Sequence, residues 1–231
     1  MDKLKLLADA QPDVERRTFA VKELRAATKD EKPVLEGFSS VFGAYSEDLG
    51  GFVEIIEPGF FDEVLGNDVR SLMNHDPNYV LGRTKSGTLE IEQREEGLFQ
   101  RTYPPIVDPE AAQWAKDLMV SIRRGDVDQQ SFGFIVKSTY RGDVEDGDEW
   151  YVMGDKIIRR LKKGGCKELL DVSVVTFPAY PQTNVSANTR SRFTEFKQSI
   201  EQRQEPTLDD LAVERQEPLD ILRRRLDLAS K

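Results

Sequence analysis

ELLDVSVVTFP, from Glu168 to Pro178, is among the most strand-like runs in the chain. Val172, Val174, Val175, Thr176 and Phe177 are β-branched or aromatic, the run is short, and Pro178 closes it; these are strand features rather than helix features. SFGFIVKSTY, Ser131 to Tyr140, has the same character. Both runs carry one polar side chain that an ordinary buried strand does not need. Asp171 stands among apolar neighbours, where a carboxylate is costly unless a partner meets it. Ser131 opens its run beside Gly133, which lets another part of the chain approach closely.

Outward from these two runs, the chain divides into three zones. Residues 1–31 are charged and weakly patterned, 32–188 hold the short apolar runs, and 189–231 are charged again. All 16 glycines lie between Gly37 and Gly165, inside the middle zone. There VLEGFSSVFGAY, GFVEIIEP and VRSLMNHD read as strands, and TLEIEQREEGLFQRTY reads as a hairpin about Glu95, Glu96 and Gly97. One helix interrupts them. Asp108 suits its N-cap, Pro109 its first turn, Gly125 its stop, and Trp114, Leu118 and Ile122 recur every four residues on one face. Many short strands with few helices predict a mainly β protein with flanking helices, in the α+β class, built on a closed or nearly closed β-barrel. In the last zone RQEPTLDDL (Arg203 to Leu211) returns as RQEPLDIL (Arg215 to Leu222), a small repeat that predicts two helical starts or a docking element used twice.

Composition narrows the chemistry. With 38% hydrophobic and 32% charged residues, a core forms only if part of the chain stays outside it. The net charge of -9 argues against a general nucleic-acid binder or a binder of anionic membranes. The segment from Arg190 onward holds nine basic and nine acidic residues, so the excess negative charge belongs to the rest of the chain. No apolar run approaches the ~20 residues needed to cross a bilayer, and the N-terminal sequence lacks the apolar core of a signal peptide. Cys166 and His75 are each the only residue of their type, so neither an internal disulfide nor a Cys/His zinc site is expected, and no cofactor or metal is implied.

His75, in SLMNHDPNYVLG, sits where a strand gives way to an Asp-Pro turn, a place that exposes a side chain on a firmly held backbone. A nucleophilic hydrolase needs a hydroxyl, a base and a group that orients the base. His75 is the one imidazole, Ser131 the best-placed hydroxyl, and Asp171 the acid; Glu168 is a nearby competitor in the more polar KKGGCKE. DQQSFGF is not the G-x-S-x-G elbow, because Gln129 takes the place of its first glycine. Taken singly, these are more simply read as a surface histidine, a serine that begins a strand and a rim carboxylate.

Taken in order, they resemble a family. LEGFSSVFGAYSEDLGGFVEIIEPGFFDEVL, LMNHDPNYVLGRT, GLFQRTYPP, the helix before Gly125, SFGFIV and ELLDVSVVTFPAYPQTNV together resemble the prohead (head-maturation) proteases of tailed phages, over about Val34 to Val185. The resemblance implies a serine endopeptidase similar in fold to the herpesvirus assembly proteases. It implies His75 as base, Ser131 as nucleophile and Asp171 as the third member, with the backbone at Phe132 and Gly133 as oxyanion donors. It implies substrates that are the scaffold or the scaffolding segment of the major capsid protein, and the enzyme itself. The setting would be the immature capsid in the host cytoplasm, with a homodimer by analogy with the herpesvirus enzymes. GDVEDGDEWYVMGD, after the serine strand, departs from the pattern; its acids would repel acidic substrates or attract basic ones. The competing reading is a catalytically inactive capsid-assembly or scaffolding protein on the same fold.

Overall fold

The computed structural model describes residues 13–19, 24–29, 32–106, 112–177 and 185–204. By its contacts the chain divides into a unit of residues 1–189 and a second of residues 190–231.

Among the described residues, twelve strands form three sheets. The largest takes β1 (Glu15–Phe19), β9 (Gln129–Val136), β12 (Cys166–Val175), β5 (Arg70–Met73) and β6 (Asp76–Arg83), in that order. A second takes β2 (Arg25–Lys29), β3 (Lys32–Val41), β8 (Gly97–Thr102) and β7 (Leu89–Gln93). The third takes β10 (Asp148–Met153), β11 (Lys156–Leu161) and β4 (Val53–Ile56). The hairpin expected about Glu95 and Glu96 joins β7 to β8, with the Arg94 N–H donating to the Gly97 carbonyl at 2.9 Å. Helix α1 is Gln113–Arg124 and α2 is Ala187–Gln204.

The mainly β, α+β expectation holds, but the expected closed or nearly closed barrel does not. Among the described residues none of the three sheets closes on itself. A barrel needs a continuous backbone ladder around its wall. Where β3 reaches β9 the link is instead between side chains: the Ser39 hydroxyl donates to Gln130 Oε1 at 2.8 Å. Elsewhere the sheets meet through packing and isolated backbone bonds, such as the Gly43 N–H to the Ile56 carbonyl at 3.0 Å, rather than through a continuous ladder.

The five-stranded sheet is two-faced because side chains alternate along a strand. Phe132, Phe134 and Val136 of β9 point into an aromatic core with Phe60 and Phe61. Phe60 and Phe61 meet their neighbours edge-on, as at Phe61 and Phe132 (5.4 Å between centroids), while Phe132 and Phe134 stack at 4.7 Å. Burying each such side chain stabilises the fold by about 1.5–3 kcal/mol. The alternate residues, Ser131 and Gly133, face the other way.

Helix α1 covers one end of the core. Ala115, Leu118, Met119 and Ile122 form its buried stripe and pack in one cluster with Leu35, Leu81 and Val174. Trp114, expected on the same face, is partly buried against that cluster. Gly125 adopts a left-handed conformation (φ 80°), and its N–H returns to the Ile122 carbonyl at 3.0 Å, ending the helix as expected. Asp108, Pro109 and the repeated RQEP segments from Glu205 on lie outside the described residues.

Candidate active site

The site begins with a hairpin. Strand β5 runs parallel beside β12 and antiparallel to β6, and Met73 pairs with Asp76. Only Asn74 and His75 lie between, and both have positive φ, 54° and 56°. A two-residue loop with both residues in this region matches the twist of paired strands. Asn and His tolerate the conformation better than most side chains. The turn is pinned to the end of β12: the Thr176 N–H donates to Asn74 Oδ1 at 2.8 Å, Asn74 Nδ2 donates to Thr176 Oγ1 at 3.1 Å, and the Asn74 N–H donates to the Val174 carbonyl at 2.8 Å. These bonds fix the backbone from which the imidazole projects.

The hydroxyl and the acid come from the two central strands. In the antiparallel register of β9 and β12, Ser131 stands opposite Ser173 and Gly133 opposite Asp171. All four lie on one face, two residues apart on each strand. A Cβ added at Gly133 would lie 2.4 Å from Asp171 Oδ2, so the glycine is the space the carboxylate occupies.

The imidazole bridges the two strands. His75 Nδ1 lies 2.6 Å from Asp171 Oδ1, and His75 Nε2 lies 2.8 Å from Ser131 Oγ. Burial alone would push the Asp171 carboxyl up, but the charge and hydrogen bond of His75, the Ser173 hydroxyl that donates to Oδ1, and the nearby charge of Arg16 hold it below the ordinary carboxylate value. An ionised Asp171 accepts from Nδ1–H, which leaves Nε2 bare to accept the Ser131 proton. Ser131 is fully buried (0% exposed), and the side chain of His75 is 10% exposed. The hydroxyl is therefore covered in this conformation, and a peptide reaches it only after local opening.

The structure thus brings His75, Ser131 and Asp171 together across chain separations of 56 and 96 residues. Glu168, the competing acid, is exposed on β12 and takes no part in this chain of hydrogen bonds. Phe132 and Gly133 do not fit the oxyanion role expected of them. Each has register partners on both β1 and β12 (Arg17 and Val172 for Phe132, Arg16 and Asp171 for Gly133). An interior strand uses its amides in the two ladders. Sequence reasoning missed Ser173, although its place two residues after the acid on a strand put it on the same face. It also missed the clasp of Asn74 and Thr176, which no local pattern signals. Cys166 offers no rival nucleophile, because burial pushes its thiol well above the ordinary value.

Comparison with known proteins supplies a family. A family model described as "Caudovirus prohead serine protease" matches residues 18–199. Among solved structures, the chain is similar to the bacteriophage T4 capsid assembly protease, gp21, at 12% identity and a TM-score of 0.39, over 72% of this chain and 98% of that one. A likeness that distant carries no weight below. No curated protein matches. With the matched region spanning most of its length and every residue of the hydrogen-bonded site, the chain belongs to the caudovirus prohead serine protease family.

Proposed function

We propose that the protein is a serine endopeptidase of phage head maturation, with Ser131 as nucleophile, His75 as general base and Asp171 as the group that orients the base. The observation that carries this reading is the continuous path from the Ser131 hydroxyl through both ring nitrogens of His75 to Asp171, with links of 2.8 and 2.6 Å. His75 Nε2 takes the hydroxyl proton as Oγ attacks the scissile carbonyl, then returns it to the leaving amine. Asp171 holds the Nδ1–H tautomer and stabilises the imidazolium that forms. Water repeats the sequence to release the acyl group from Ser131.

Family membership favours a substrate in the capsid. We assign cleavage of the scaffold, or of the scaffolding segment of the major capsid protein, and of the enzyme itself, inside the immature capsid in the host cytoplasm. Residues 32–188 carry all three site residues in this reading, with β1 and β2 of the preceding segment completing their sheets, and 189–231 form a tail that docks the enzyme for packaging. Co-expression with the phage's own scaffold and capsid proteins, read by intact mass, tests the assignment. Cut products with wild type and none with Ser131→Ala are expected; products with both would overturn it. Truncation after Asn188 tests the tail, which is expected to be dispensable for peptide cleavage and required for packaging.

One observation favours the second reading, an inactive assembly protein: Ser131 is covered in this conformation. A small fluorophosphonate separates the two, because only a working site activates the hydroxyl for phosphonylation.

A further inference from the structure

A cavity of about 600 Å³ opens beside the turn that carries His75. One wall is the β5–β6 hairpin, through Asn74, Asp76 and Tyr79; the other is helix α1 and the residues after it, through Trp114, Asp117, Leu118 and Asp126. Trp114, Asp117 and Leu118 project together because they are three and four residues apart on the helix. Asn74 and Thr176, the clasp that fixes the His75 backbone, also line it. Asn74 and Asp76 flank His75 in the chain, so the cavity is built onto the same turn as the imidazole.

The lining has a definite chemistry. Its floor is apolar, with Leu118 and Val127 buried. Tyr79 and Trp114 meet edge-on at 5.1 Å and stand over it. Asp76, Asp117 and Asp126 supply carboxylates; Asp126 pairs with Arg124 at 3.1 Å and Asp117 accepts from Gln113 at 2.7 Å, but among the described residues no lysine or arginine lines the space itself. A volume of this size accepts a stretch of peptide rather than a single water or ion. The combination of aliphatic floor, aromatic wall and excess negative charge complements one kind of side chain: a long apolar stem that ends in a cation. An acidic side chain would meet like charge, and a purely apolar one would add no counter-charge.

We infer that this cavity is a substrate subsite that selects a lysine or arginine side chain close to the scissile bond. The inference rests on the protease reading above and adds to it a substrate class. Trp114 and Tyr79 hold the stem, and Asp117 and Asp126 face the cationic head from the helix side. Both aspartates are exposed, so changing them does not disturb the core.

The test uses the full chain and a peptide library in which one position near the cut is lysine, arginine, glutamate, glutamine or leucine. The wild type is expected to cleave lysine and arginine peptides several-fold faster than glutamine or leucine peptides, and glutamate peptides most slowly. In the double variant Asp117→Asn, Asp126→Asn the ratio of lysine to glutamine cleavage should fall about threefold to tenfold, the scale of one or two partly exposed ion pairs. Glu92→Gln, a charge change on β7 away from the cavity, should keep the wild-type ratio. Cleavage with no basic preference, or a preference that survives the double variant, would overturn the subsite and leave the protease reading standing. If no peptide is cut, binding of fluorescent lysine and glutamine peptides to Ser131→Ala decides. A lysine preference that the added aspartate substitutions abolish supports the cavity on its own, and equal binding overturns it.

Discussion

Two buried charged clusters flank the same strand β9, and they are built for opposite ends. In one, Arg17 and Arg159 meet Glu15, Glu54 and Asp148, all nearly inaccessible to water. Arg17 donates to Glu54 at 2.8 and 2.9 Å and to Glu15 at 2.6 Å. Arg159 donates to Asp148 at 2.7 Å, to Glu54 at 2.9 Å and to Glu15 at 2.8 and 3.0 Å, and Thr189 adds a further bond to Glu15 at 2.8 Å. Guanidiniums do not give up their protons at any relevant pH. The cluster joins β1, β4, β10 and β11 as a fixed knot. In the other cluster a neutral hydroxyl and an imidazole lie between a carboxylate and the space a substrate would need. There a proton has somewhere to go. Desolvation acts on both; only the chemical identity of the middle group separates a fastening from a candidate catalyst.

The contrast predicts separable losses. Ser131→Ala should cost the most activity, roughly a millionfold in kcat by the scale of serine hydrolases, while its thermal unfolding stays close to wild type. Arg159→Met should do the reverse. It leaves Glu15, Glu54 and Asp148 facing one another with a single guanidinium, and breaking a buried ionic group in this way destabilises by about 3–5 kcal/mol; chemical denaturation would read it. Equal loss of stability in both variants would break the comparison.

Acid sharpens it further. Burial pushes Glu15 up, but Arg159 and Arg17 outweigh that and hold its carboxyl at about 2, against an ordinary 4.5. A folded-state value below the unfolded one means the stabilisation is complete above about pH 4.5 and drains away as pH falls toward 2. Unfolding followed by circular dichroism should therefore steepen in that window, and less so in Glu15→Gln. The smallest effect is expected at Ser173. Its hydroxyl donates to Asp171 and helps to keep that carboxyl ionised. Ser173→Ala should lower kcat/KM about tenfold and raise the Asp171 carboxyl toward its ordinary value, because the carboxylate loses a donor, a shift that carboxyl-labelled NMR titration would read. A merely structural serine would lower stability without changing the Asp171 titration.

How much of this was legible beforehand follows from what each feature depends on. Strands such as Glu168–Pro178 are written in local residue types, and so is the end of α1 at Gly125. The sheet to which a strand belongs is not local, and the closed barrel failed on that account. Short strands in series fit a barrel or stacked sheets equally well, and side-chain links such as Ser39 to Gln130 leave no periodic trace. His75, Ser131 and Asp171 were each weak alone and legible only as an ordered set. Gly133 was noticed for close approach, but its use, making room for Asp171, depends on the register of β9 against β12. The fixed knot was missed altogether: Arg17 and Arg159 look like surface residues in a chain with many charges, and only their convergence with distant carboxylates makes them core.

The most direct test of the central claim is covalent labelling of the full chain with a small fluorophosphonate, followed by intact mass and peptide mapping. Wild type should gain a single adduct on Ser131, and His75→Ala and Asp171→Asn should suppress it by orders of magnitude while remaining folded. No adduct on Ser131 in the folded wild type, or labelling that proceeds equally well without His75, would contradict the account.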